Sequence, residues 1–509
     1  MKNQLSKTFW LTLMVVGILM AMFFLPRISI GDTMLRRVNL LSDIQQRDST
    51  GRLLAEVEAD AREGIVEEVL DSAAVKVEVV AYKDEVPEGM VAIEDYADSE
   101  GINREMDHFY AALNEANKRP VRIAYYGDSF IEGDILTMDL RQMLQEKFGG
   151  EGVGWVDITH IAAGFRQTVR SNSNGWASHH FTDNKGFRVE EASIAGNYFY
   201  PAYTGSLTLT CQDHVYGNRL GSVSNDTIYY SAGDELSMTV ATNGGERRVV
   251  RGSGEMRGNP GPTYETVYEP TDSVDETGEP VMRAVKVKKD PVVVEPSGRV
   301  GSTVLAEKVT GDIRSISFSA SGPGRFYGVA LDGNKGIQLD NFSSRGSSGM
   351  FLGTMPESNM REFAHVRPYD LIVIHFGLNV ASAKVKDYTY YTNSMSKGIR
   401  HLKAAYPNAS ILIVSVSDRD QRTSDGLHTM KGVTELLAFQ RKMASEEHVA
   451  FWNLYDAMGG DGSMARMKEE KMANLDYTHI NFKGGKHVAK ILFDVLMNGK
   501  MNYDKRKGN

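Results

Sequence analysis

The sequence predicts an α/β protein in which a parallel sheet with helices on both faces is interrupted by an inserted all-β, sandwich-like domain. Short apolar strands alternate with helical stretches in residues 101–154 and 336–509, a pattern typical of a parallel sheet. Between them, residues 155–335 are rich in Gly, Ser, Thr and Asn and have an apolar period of two, which indicates antiparallel strands. The chain has 509 residues, too many for one ordinary core, so we expect the insertion to be a separate domain.

The N-terminus carries an apolar segment that predicts attachment to a membrane. Lys2 and Lys7 precede a mostly apolar run of 17 residues, Phe9–Leu25, and no small-x-small cleavage site follows it. We therefore interpret residues 1–30 as an uncleaved signal anchor, with a cleavable signal peptide as the alternative. The remaining chain is expected outside the cytoplasm, in the periplasm or at the cell surface.

Residues 31–100 show the weakest pattern in the sequence. They are rich in Glu and Asp, as in Glu56–Asp60, and contain short valine runs without a sustained apolar period. This composition is typical of a weakly ordered segment. We interpret this part of the chain as an acidic juxtamembrane spacer.

Charge and cysteine content exclude several classes of protein. The formal net charge of -9 argues against a general nucleic-acid binder, because neutralising phosphates requires a basic face. The single cysteine, Cys211, excludes an intrachain disulfide and a cysteine-based zinc site. Because apolar and polar residues alternate in Leu207–Thr210, Cys211 is expected on a half-buried strand. No grouping of His, Asp and Glu requires a metal, and no cofactor is expected.

The first candidate catalytic block follows the predicted strand Val121–Tyr126. Gly127-Asp128-Ser129 comes directly after it, and a helical stretch then extends to Gly149-Gly150. We expect Ser129 at the carboxyl edge of the sheet, facing the positive end of the helix dipole, where a nucleophile is favoured. For this tripeptide alone, a turn with an N-capping Asp or Ser is the alternative.

A carboxylate and an imidazole lie three residues apart just before the last predicted helix, Gly485–Met497. One loop can hold both Asp476 and His479. A serine hydroxyl is a poor nucleophile until a base takes its proton, and the base needs a carboxylate at its other ring nitrogen. Asp476 and His479 fit these roles, and an Asx turn with a surface histidine is the alternative.

Three other segments follow predicted strands. The run His375–Asn379 ends in Gly-Leu-Asn, which places the Asn379 amide to donate to an oxyanion, although an ordinary strand-ending turn is the alternative. His375 lies on an apolar strand and is interpreted as a core histidine. A glycine in the run Ser344–Gly349 would let a backbone N–H approach the reacting centre, and a flexible loop is the alternative. The run Asp418–Arg422 is interpreted as a solvated charged loop.

The order of these segments resembles the SGNH (GDSL-like) hydrolase family. The four blocks of that family are matched, in order, by Gly127-Asp128-Ser129, by Gly346, by Gly377-Leu378-Asn379 and by Asp476-Tyr477-Thr478-His479. The resemblance covers residues 103–150 and 336–498. The sequence departs from the common third block at Val380, where the family often has Asp.

The resemblance implies which residues would carry out ester cleavage. Ser129 would be the nucleophile, with His479 and Asp476 as its supporting pair. The oxyanion hole would comprise the backbone N–H groups of Ser129 and Gly346 with the Asn379 side chain. Gly154 and Gly164 also follow the first helix and are the alternatives to Gly346.

The position of the β insertion, between the first and second blocks, is similar to that in peptidoglycan O-acetylesterases of this class, where it resembles a carbohydrate-binding module. The resemblance implies a serine esterase that removes O-acetyl groups from a cell-envelope glycan through an acyl-Ser129 intermediate. Its expected partners are an O-acylated carbohydrate or another ester, and a membrane through the N-terminus. The alternatives are an O-acetyltransferase that uses the same acyl-serine and a non-catalytic glycan-binding protein.

Overall fold

The computed structural model of the chain divides into two units, Met1–Val69 and Leu70–Asn509. It describes residues 29–30, 33–34, 81–97, 104–183, 186–212, 220–245, 248–251, 264–274, 280–288 and 301–508. In the first unit the described residues form two antiparallel strands, β1 (Ser29–Ile30) and β2 (Thr33–Met34). The run Phe9–Leu25, predicted as a membrane anchor, lies outside the described residues. None of the helices that the structure describes is both long and apolar enough to cross a membrane.

The second unit contains strands and helices in alternation at both ends and strands in the middle. Its strands are β3 (Tyr82–Lys83), β4 (Glu94–Asp95), β5 (Pro120–Gly127), β6 (Gly152–Asp157), β7 (Val169–His180), β8 (Asn197–Cys211), β9 (Val223–Ala232), β10 (Ser237–Thr242), β11 (Arg248–Arg251), β12 (Tyr264–Val274), β13 (Pro280–Lys288), β14 (Leu305–Ile313), β15 (Ser315–Ser321), β16 (Gly324–Asp332), β17 (Gly336–Ser343), β18 (Leu371–His375), β19 (Ser410–Val414), β20 (Asp420–Arg422), β21 (Leu427–Thr429) and β22 (Ala450–Trp452). Its helices are α1 (Asp107–Asn114), α2 (Thr137–Phe148), α3 (Phe351–Thr354), α4 (Glu357–Val366), α5 (Thr389–Ala405), α6 (Lys431–Glu446), α7 (Leu454–Ala457), α8 (Ser463–Glu469) and α9 (Phe482–Lys507), with short 3-10 helices at Glu132–Asp134 and Val189–Glu191.

A seven-stranded sheet forms the centre of the α/β part, in the order β17-β5-β18-β19-β22-β4-β3. The five strands from β17 to β22 are parallel, and β4 and β3 extend the edge in antiparallel orientation. The central strands β18 and β19 are runs of mostly branched apolar residues that are buried along their whole length. This burial is expected of parallel strands with helices on both faces, and the predicted α/β fold is confirmed.

Strands β3 and β4 come from a part of the chain that the sequence analysis interprets as spacer. Asp95 pairs with Tyr82 on one side and with Ala450 of β22 on the other. Asp95 is buried, and its carboxylate accepts the N–H groups of Glu105 and Met106 at 2.9 and 3.0 Å. The sequence does not predict these strands for two reasons. A strand of two residues is too short to show an apolar period. The buried carboxylate, which backbone donors stabilise, resembles an exposed acidic residue in the sequence.

Helix α9 packs closely against the segment that follows strand β5. Its buried residues Val488, Leu492 and Val495 recur at helical spacing on one face. Gly485 permits the close approach, since a Cβ at that position would lie 1.9 Å from the Ile135 carbonyl oxygen. The packing therefore fixes where α9 begins relative to β5.

The inserted residues form a nine-stranded antiparallel sheet. Seven strands follow the order β11-β10-β15-β8-β16-β9-β14, with β6 paired to β16 and β7 paired to β8. In β15 every second residue is buried, so that Ile316 and Phe318 join a core separate from that of the α/β part. Strands β12 and β13 form a further antiparallel pair.

A buried ion network joins the inserted domain to the edge of the parallel sheet. The Arg367 guanidinium donates to Asp340 of β17 at 2.5 Å and to Asp332 of β16 at 2.8 Å. The second oxygen of Asp340 accepts the backbone N–H of Trp155 in β6 at 2.8 Å. Burial raises the pKa of Asp340, but Arg367 outweighs it and the pKa lies below its ordinary value. The charged network therefore holds β6 beside the parallel sheet.

Candidate active site

Strand β5 ends in a tight turn that presents Ser129 at the carboxyl edge of the sheet. A Cβ on Gly127 would lie 2.8 Å from the Ile131 side chain, so a larger residue in this turn would displace Ile131. Asp128 is buried, and its Oδ1 accepts the Phe130 N–H at 2.9 Å. These contacts leave the Ser129 side chain half-buried at the sheet edge.

The helix after Ser129 begins later than the sequence analysis predicts. A turn and the 3-10 helix Glu132–Asp134 come first, and α2 starts at Thr137. Gly133 and Asp134 have φ values of 62° and 67°, which interrupt a right-handed helix. The predicted placement of the nucleophile at the positive end of a helix dipole is therefore wrong.

Hydrogen bonds connect Ser129 to His479 and His479 to Asp476. The Ser129 Oγ lies 3.0 Å from His479 Nε2, although the two residues are 350 positions apart in the chain. His479 Nδ1 lies 2.7 Å from Asp476 Oδ2. With its Nδ1–H donated to Asp476, a neutral imidazole presents an unprotonated Nε2 to the hydroxyl, as a general base must.

Asp476 shapes the loop that carries the imidazole. Its Oδ1 accepts the N–H groups of Thr478 and His479, both at 3.0 Å, which leaves Oδ2 for the ring. Burial raises the pKa of Asp476. The hydrogen bonds from the His479 N–H, the His479 imidazole and the Thr478 N–H lower it by more, so the pKa lies below its ordinary value. The carboxylate is therefore charged at neutral pH.

The loop Asp476–His479 is fastened on both sides. The Asp420 N–H donates to the Tyr477 carbonyl oxygen at 3.0 Å, which ties the loop to β20. On the other side Asn481 caps α9, since its side chain accepts two N–H groups of the first turn. Tyr477 has a φ of 52°, a left-handed conformation that reverses the chain between the carboxylate and the imidazole.

The run Asp418–Arg422 is not the solvated loop that its composition predicts. Asp418 and Asp420 are both buried. Asp418 Oδ2 accepts the Met464 N–H at 3.0 Å, and Asp420 Oδ2 accepts the Ala465 N–H at 2.7 Å. Burial and the neighbouring Asp418 raise the pKa of Asp420 to about 6. The acidic residues of this run therefore bind the start of α8 and support the candidate catalytic loop.

Asn379 follows β18, and its amide lies between the first and second blocks. Nδ2 donates to Asp128 Oδ2 at 3.1 Å and to the Ser347 carbonyl oxygen at 3.0 Å. The two amide hydrogens are thus engaged inside the protein. The structure places Asn379 beside Asp128 of the first block, with both of its amide hydrogens already bonded.

Gly346 lies in the turn Ser344–Ser347, which is closed by a 3.1 Å hydrogen bond between its end residues. Its φ of 73° favours glycine at this position of the turn. The N–H groups of Gly346 and Ser129 form no hydrogen bond with any residue that the structure describes. Arg345 holds the turn beside the nucleophile, since its Nε donates to Glu132 Oε2 at 2.8 Å.

Asp128 has a role that the sequence analysis missed. Burial raises its pKa to about 6, although the Phe130 N–H, His479 and the Asn379 amide lower it. Above that pH the charged carboxylate holds the Asn379 amide. The contact joins residues 251 positions apart, and neither segment carries a local signal for it.

His375 is a core histidine, as predicted. It is buried, and its Nδ1 shares a 3.2 Å hydrogen bond with the Tyr125 hydroxyl. Burial lowers its pKa to about 3, so the ring is neutral near pH 7. Within the described ranges, no three His, Cys, Asp or Glu side chains are grouped to hold a metal ion.

The chain is similar in structure to a solved peptidoglycan O-acetylesterase. The match has a TM-score of 0.59 and 19% sequence identity, and it covers 81% of this chain and 99% of the other. A family two carbohydrate esterase from Cellvibrio japonicus matches at 9% identity over 66% of this chain and 99% of its own, with a TM-score of 0.24. An acetyl xylan esterase matches at 16% identity over 31% and 80%, with a TM-score of 0.25. The first similarity supports the fold assignment, whereas scores as low as the other two support no inference. No protein-family model and no curated protein sequence matches the chain.

Proposed function

We propose that this chain, which has the SGNH (GDSL-like) hydrolase fold, is a serine esterase that removes O-acetyl groups from a glycan. One observation carries the proposal: the unbroken pair of hydrogen bonds, 3.0 and 2.7 Å long, from Ser129 through His479 to Asp476. The solved structure with the same fold is named a peptidoglycan O-acetylesterase, which favours an acetylated cell-envelope carbohydrate as the substrate.

In the first step, His479 Nε2 takes the proton of the Ser129 hydroxyl while Oγ attacks the acetyl carbonyl carbon. The charged Asp476 stabilises the imidazolium that forms. As the tetrahedral intermediate collapses, Nε2 returns the proton to the departing sugar oxygen, and the acetyl group remains on Ser129.

In the second step, a water molecule replaces the sugar as the nucleophile. His479 takes a proton from the water, and the hydroxide oxygen attacks the acyl carbon. The carbon–Oγ bond breaks, Ser129 regains its proton from His479, and acetate is released.

The negative oxygen of each intermediate needs donors at the sheet edge. The N–H groups of Ser129 and Gly346 donate to none of the residues that the structure describes, so both are available to an oxyanion. Asn379 has to redirect one amide hydrogen from Asp128 or from the Ser347 carbonyl oxygen. A donor of this kind typically contributes about 3–4 kcal/mol to lowering the barrier.

Replacement of the nucleophile tests the proposal. In the full-length chain, Ser129→Ala should lower the turnover of a small acetyl ester by at least about 1,000-fold, because no acyl-serine can form. Ser445→Ala, at the end of α6 and outside the candidate site, is the matched control and should retain wild-type activity. Wild-type turnover by Ser129→Ala would show that the assignment is wrong.

Water is the proposed acceptor of the acetyl group, and product analysis separates this from transfer. With an O-acetylated glycan and an unacetylated acceptor glycan present together, hydrolysis releases free acetate. Accumulation of newly acetylated acceptor would instead identify an O-acetyltransferase that uses the same acyl-Ser129. Binding of the glycan without either product would identify a glycan-binding protein.

The N-terminal run Phe9–Leu25 supports a second proposal, that residues 1–30 anchor the protein with its catalytic part outside the cytoplasm. The full-length chain should sediment with membranes, and a variant without residues 1–30 should not. In intact cells with a permeabilised outer envelope, added protease should degrade the catalytic part. Protection of that part from protease would contradict the proposed orientation.

A further inference from the structure

An open cleft lies between the catalytic sheet and the inserted domain. The empty space along its lining, open solvent at its mouth included, is about 490 Å³. On the sheet side it is lined by Gly133, Asn341 and Ser343. On the side of the inserted domain, Asp157 and His160 are among the polar residues that line it. Both domains therefore contribute to one cleft.

Phe165 connects this cleft with the candidate catalytic residues. It belongs to the segment 160–166 of the inserted domain, which forms one wall of the cleft. Its ring lies so close to Gly133 that a Cβ there would be 2.4 Å away. The ring centroid is also 5.0 Å from that of Phe482, three residues after His479. A molecule in the cleft is thus adjacent to segments that flank the nucleophile and the base.

The cleft offers no unpaired cation among the residues described in its lining. Arg166 is largely buried, and it donates to Asp134 Oδ2 at 2.8 Å and to the carbonyl oxygens of Trp155 and Val153 at 3.0 and 3.2 Å. These internal acceptors hold the guanidinium in place. An anionic ligand would therefore find no free positive charge in this lining.

The lining of the cleft also contains hydrogen-bond acceptors and donors that are not charged cations. Asp157 Oδ1 accepts the Trp155 indole N–H at 2.8 Å, which orients the carboxylate and leaves Oδ2 without a hydrogen bond to a described residue. His160 Nδ1 accepts the Ala162 N–H at 3.0 Å, so a neutral ring carries its hydrogen on Nε2. The hydroxyl of Ser171 can donate and accept.

We infer that the cleft binds a neutral, hydroxyl-rich sugar ring of the glycan, beside the acetylated unit that faces Ser129. One hydroxyl of that ring donates to Asp157 Oδ2, and another accepts from His160 Nε2. A sugar ring that carries a carboxylate would be repelled by the Asp157 carboxylate, because no free cation in the lining offsets that repulsion. The inference rests on the proposed esterase function and adds the class of sugar that the enzyme prefers.

Kinetics on two substrates tests Asp157 as a specificity residue. Asp157→Asn in the full-length chain should raise the KM for O-acetylated chitotetraose about tenfold more than the KM for p-nitrophenyl acetate, because the small ester does not reach the cleft. Glu235→Gln removes an exposed carboxylate of the same domain outside the cleft, and it should change neither KM. Equal changes of the two KM values in Asp157→Asn would overturn the inference.

Measuring glycan binding in an inactive variant tests the cleft independently of the proposed catalytic mechanism. In a Ser129→Ala background, fully N-acetylated chitotetraose, which is neutral, should bind more tightly than tetragalacturonate, which carries carboxylates. Adding Asp157→Asn should weaken chitotetraose binding about tenfold and reduce the discrimination between the two oligomers. An unchanged affinity for chitotetraose would overturn the cleft assignment even if Ser129 is the nucleophile. Loss of affinity in a protein whose wild type cleaves no ester would support the cleft and contradict the esterase proposal.

Discussion

The two sides of the candidate active site differ in how fully they are assembled before a substrate binds. On the nucleophile side, Ser129, His479 and Asp476 already form a continuous chain of hydrogen bonds. On the oxyanion side, Asn379 still donates to Asp128 and to the Ser347 carbonyl oxygen. The proposed base is therefore already bonded to the proposed nucleophile, whereas the proposed oxyanion donor Asn379 would have to exchange a hydrogen bond during the reaction.

The largest effect is expected from the nucleophile side, through Asp476→Asn. The change removes the charge that stabilises the imidazolium, so kcat should fall about 100- to 10,000-fold on a small acetyl ester. Because the pKa of Asp476 lies below its ordinary value, the loss should persist from mildly acidic to alkaline pH. The control is Asp494→Asn, which removes a surface carboxylate of α9 paired with Lys490. An unaltered kcat in Asp476→Asn would remove Asp476 from the mechanism.

Asn379→Ala removes the amide donor on the oxyanion side and should have the next largest effect on kcat. The loss of one donor to the developing negative charge should lower kcat about 100- to 1,000-fold with little change in KM. Asn502→Ala, which removes a hydrogen bond to the Glu85 carbonyl oxygen on the surface of α9, is the control. If Asn379→Ala stays within twofold of wild-type kcat, the backbone N–H groups alone form the oxyanion hole.

Asp128→Asn tests whether the hydrogen bond from Asn379 to Asp128 holds the Asn379 amide where it can donate to the oxyanion. The variant keeps an acceptor for the Phe130 N–H but loses the charged acceptor for Asn379, so we expect kcat to fall about tenfold. This is a smaller loss than that of Asn379→Ala. A kcat equal to or above that of the wild type would show that the bond to Asp128 does not help the reaction.

The raised pKa of Asp128 also predicts how stability depends on pH. Its folded pKa of about 6 exceeds the ordinary 3.8, so between these values the folded carboxyl keeps a proton that the unfolded one loses. The free energy of unfolding should therefore fall as pH rises from about 4 to about 6, and Asp128→Asn should lack this component. Urea unfolding at several pH values measures the slope, and identical slopes in both proteins would contradict the assignment.

The smallest effect is expected from Arg345→Ala, on the rim of the oxyanion side. Arg345 is largely exposed, but its partner Glu132 is buried, and removing the guanidinium leaves that carboxylate unpaired beside the nucleophile. We expect a two- to fivefold fall in kcat and a lower melting temperature. Arg361→Ala, which breaks an exposed pair with Glu357, is the matched control. If adding Glu132→Gln fails to restore the melting temperature of Arg345→Ala, the unpaired charge is not the cause.

The sequence was sufficient to place the candidate catalytic residues because their signals are local. Gly127-Asp128-Ser129 and the segment Asp476–His479 each occupy a few residues at the ends of regular elements. In a parallel sheet the carboxyl ends of the strands share one edge, so the order along the chain brings such residues together. Their roles in catalysis stay predictions until the variants are measured.

The remaining features depend on contacts that sequence patterns do not encode. The bond of Asn379 to Asp128 and the bond of the Met464 N–H to the buried Asp418 join residues far apart in sequence. The late start of α2 follows from the left-handed conformations of Gly133 and Asp134, which apolar periodicity does not report. The strand Glu94–Asp95 is likewise too short and too acidic to be recognised.

The most direct test of the account is covalent labelling of the purified full-length protein by a fluorophosphonate probe, followed by peptide mapping. We predict modification of Ser129 in the wild type and at least about 100-fold slower modification in His479→Ala, since the hydroxyl then lacks its base. A folded wild-type protein that remains unlabelled, or labelling of Ser129 that is equally fast in His479→Ala, would contradict the assignment of Ser129 as a nucleophile activated by His479.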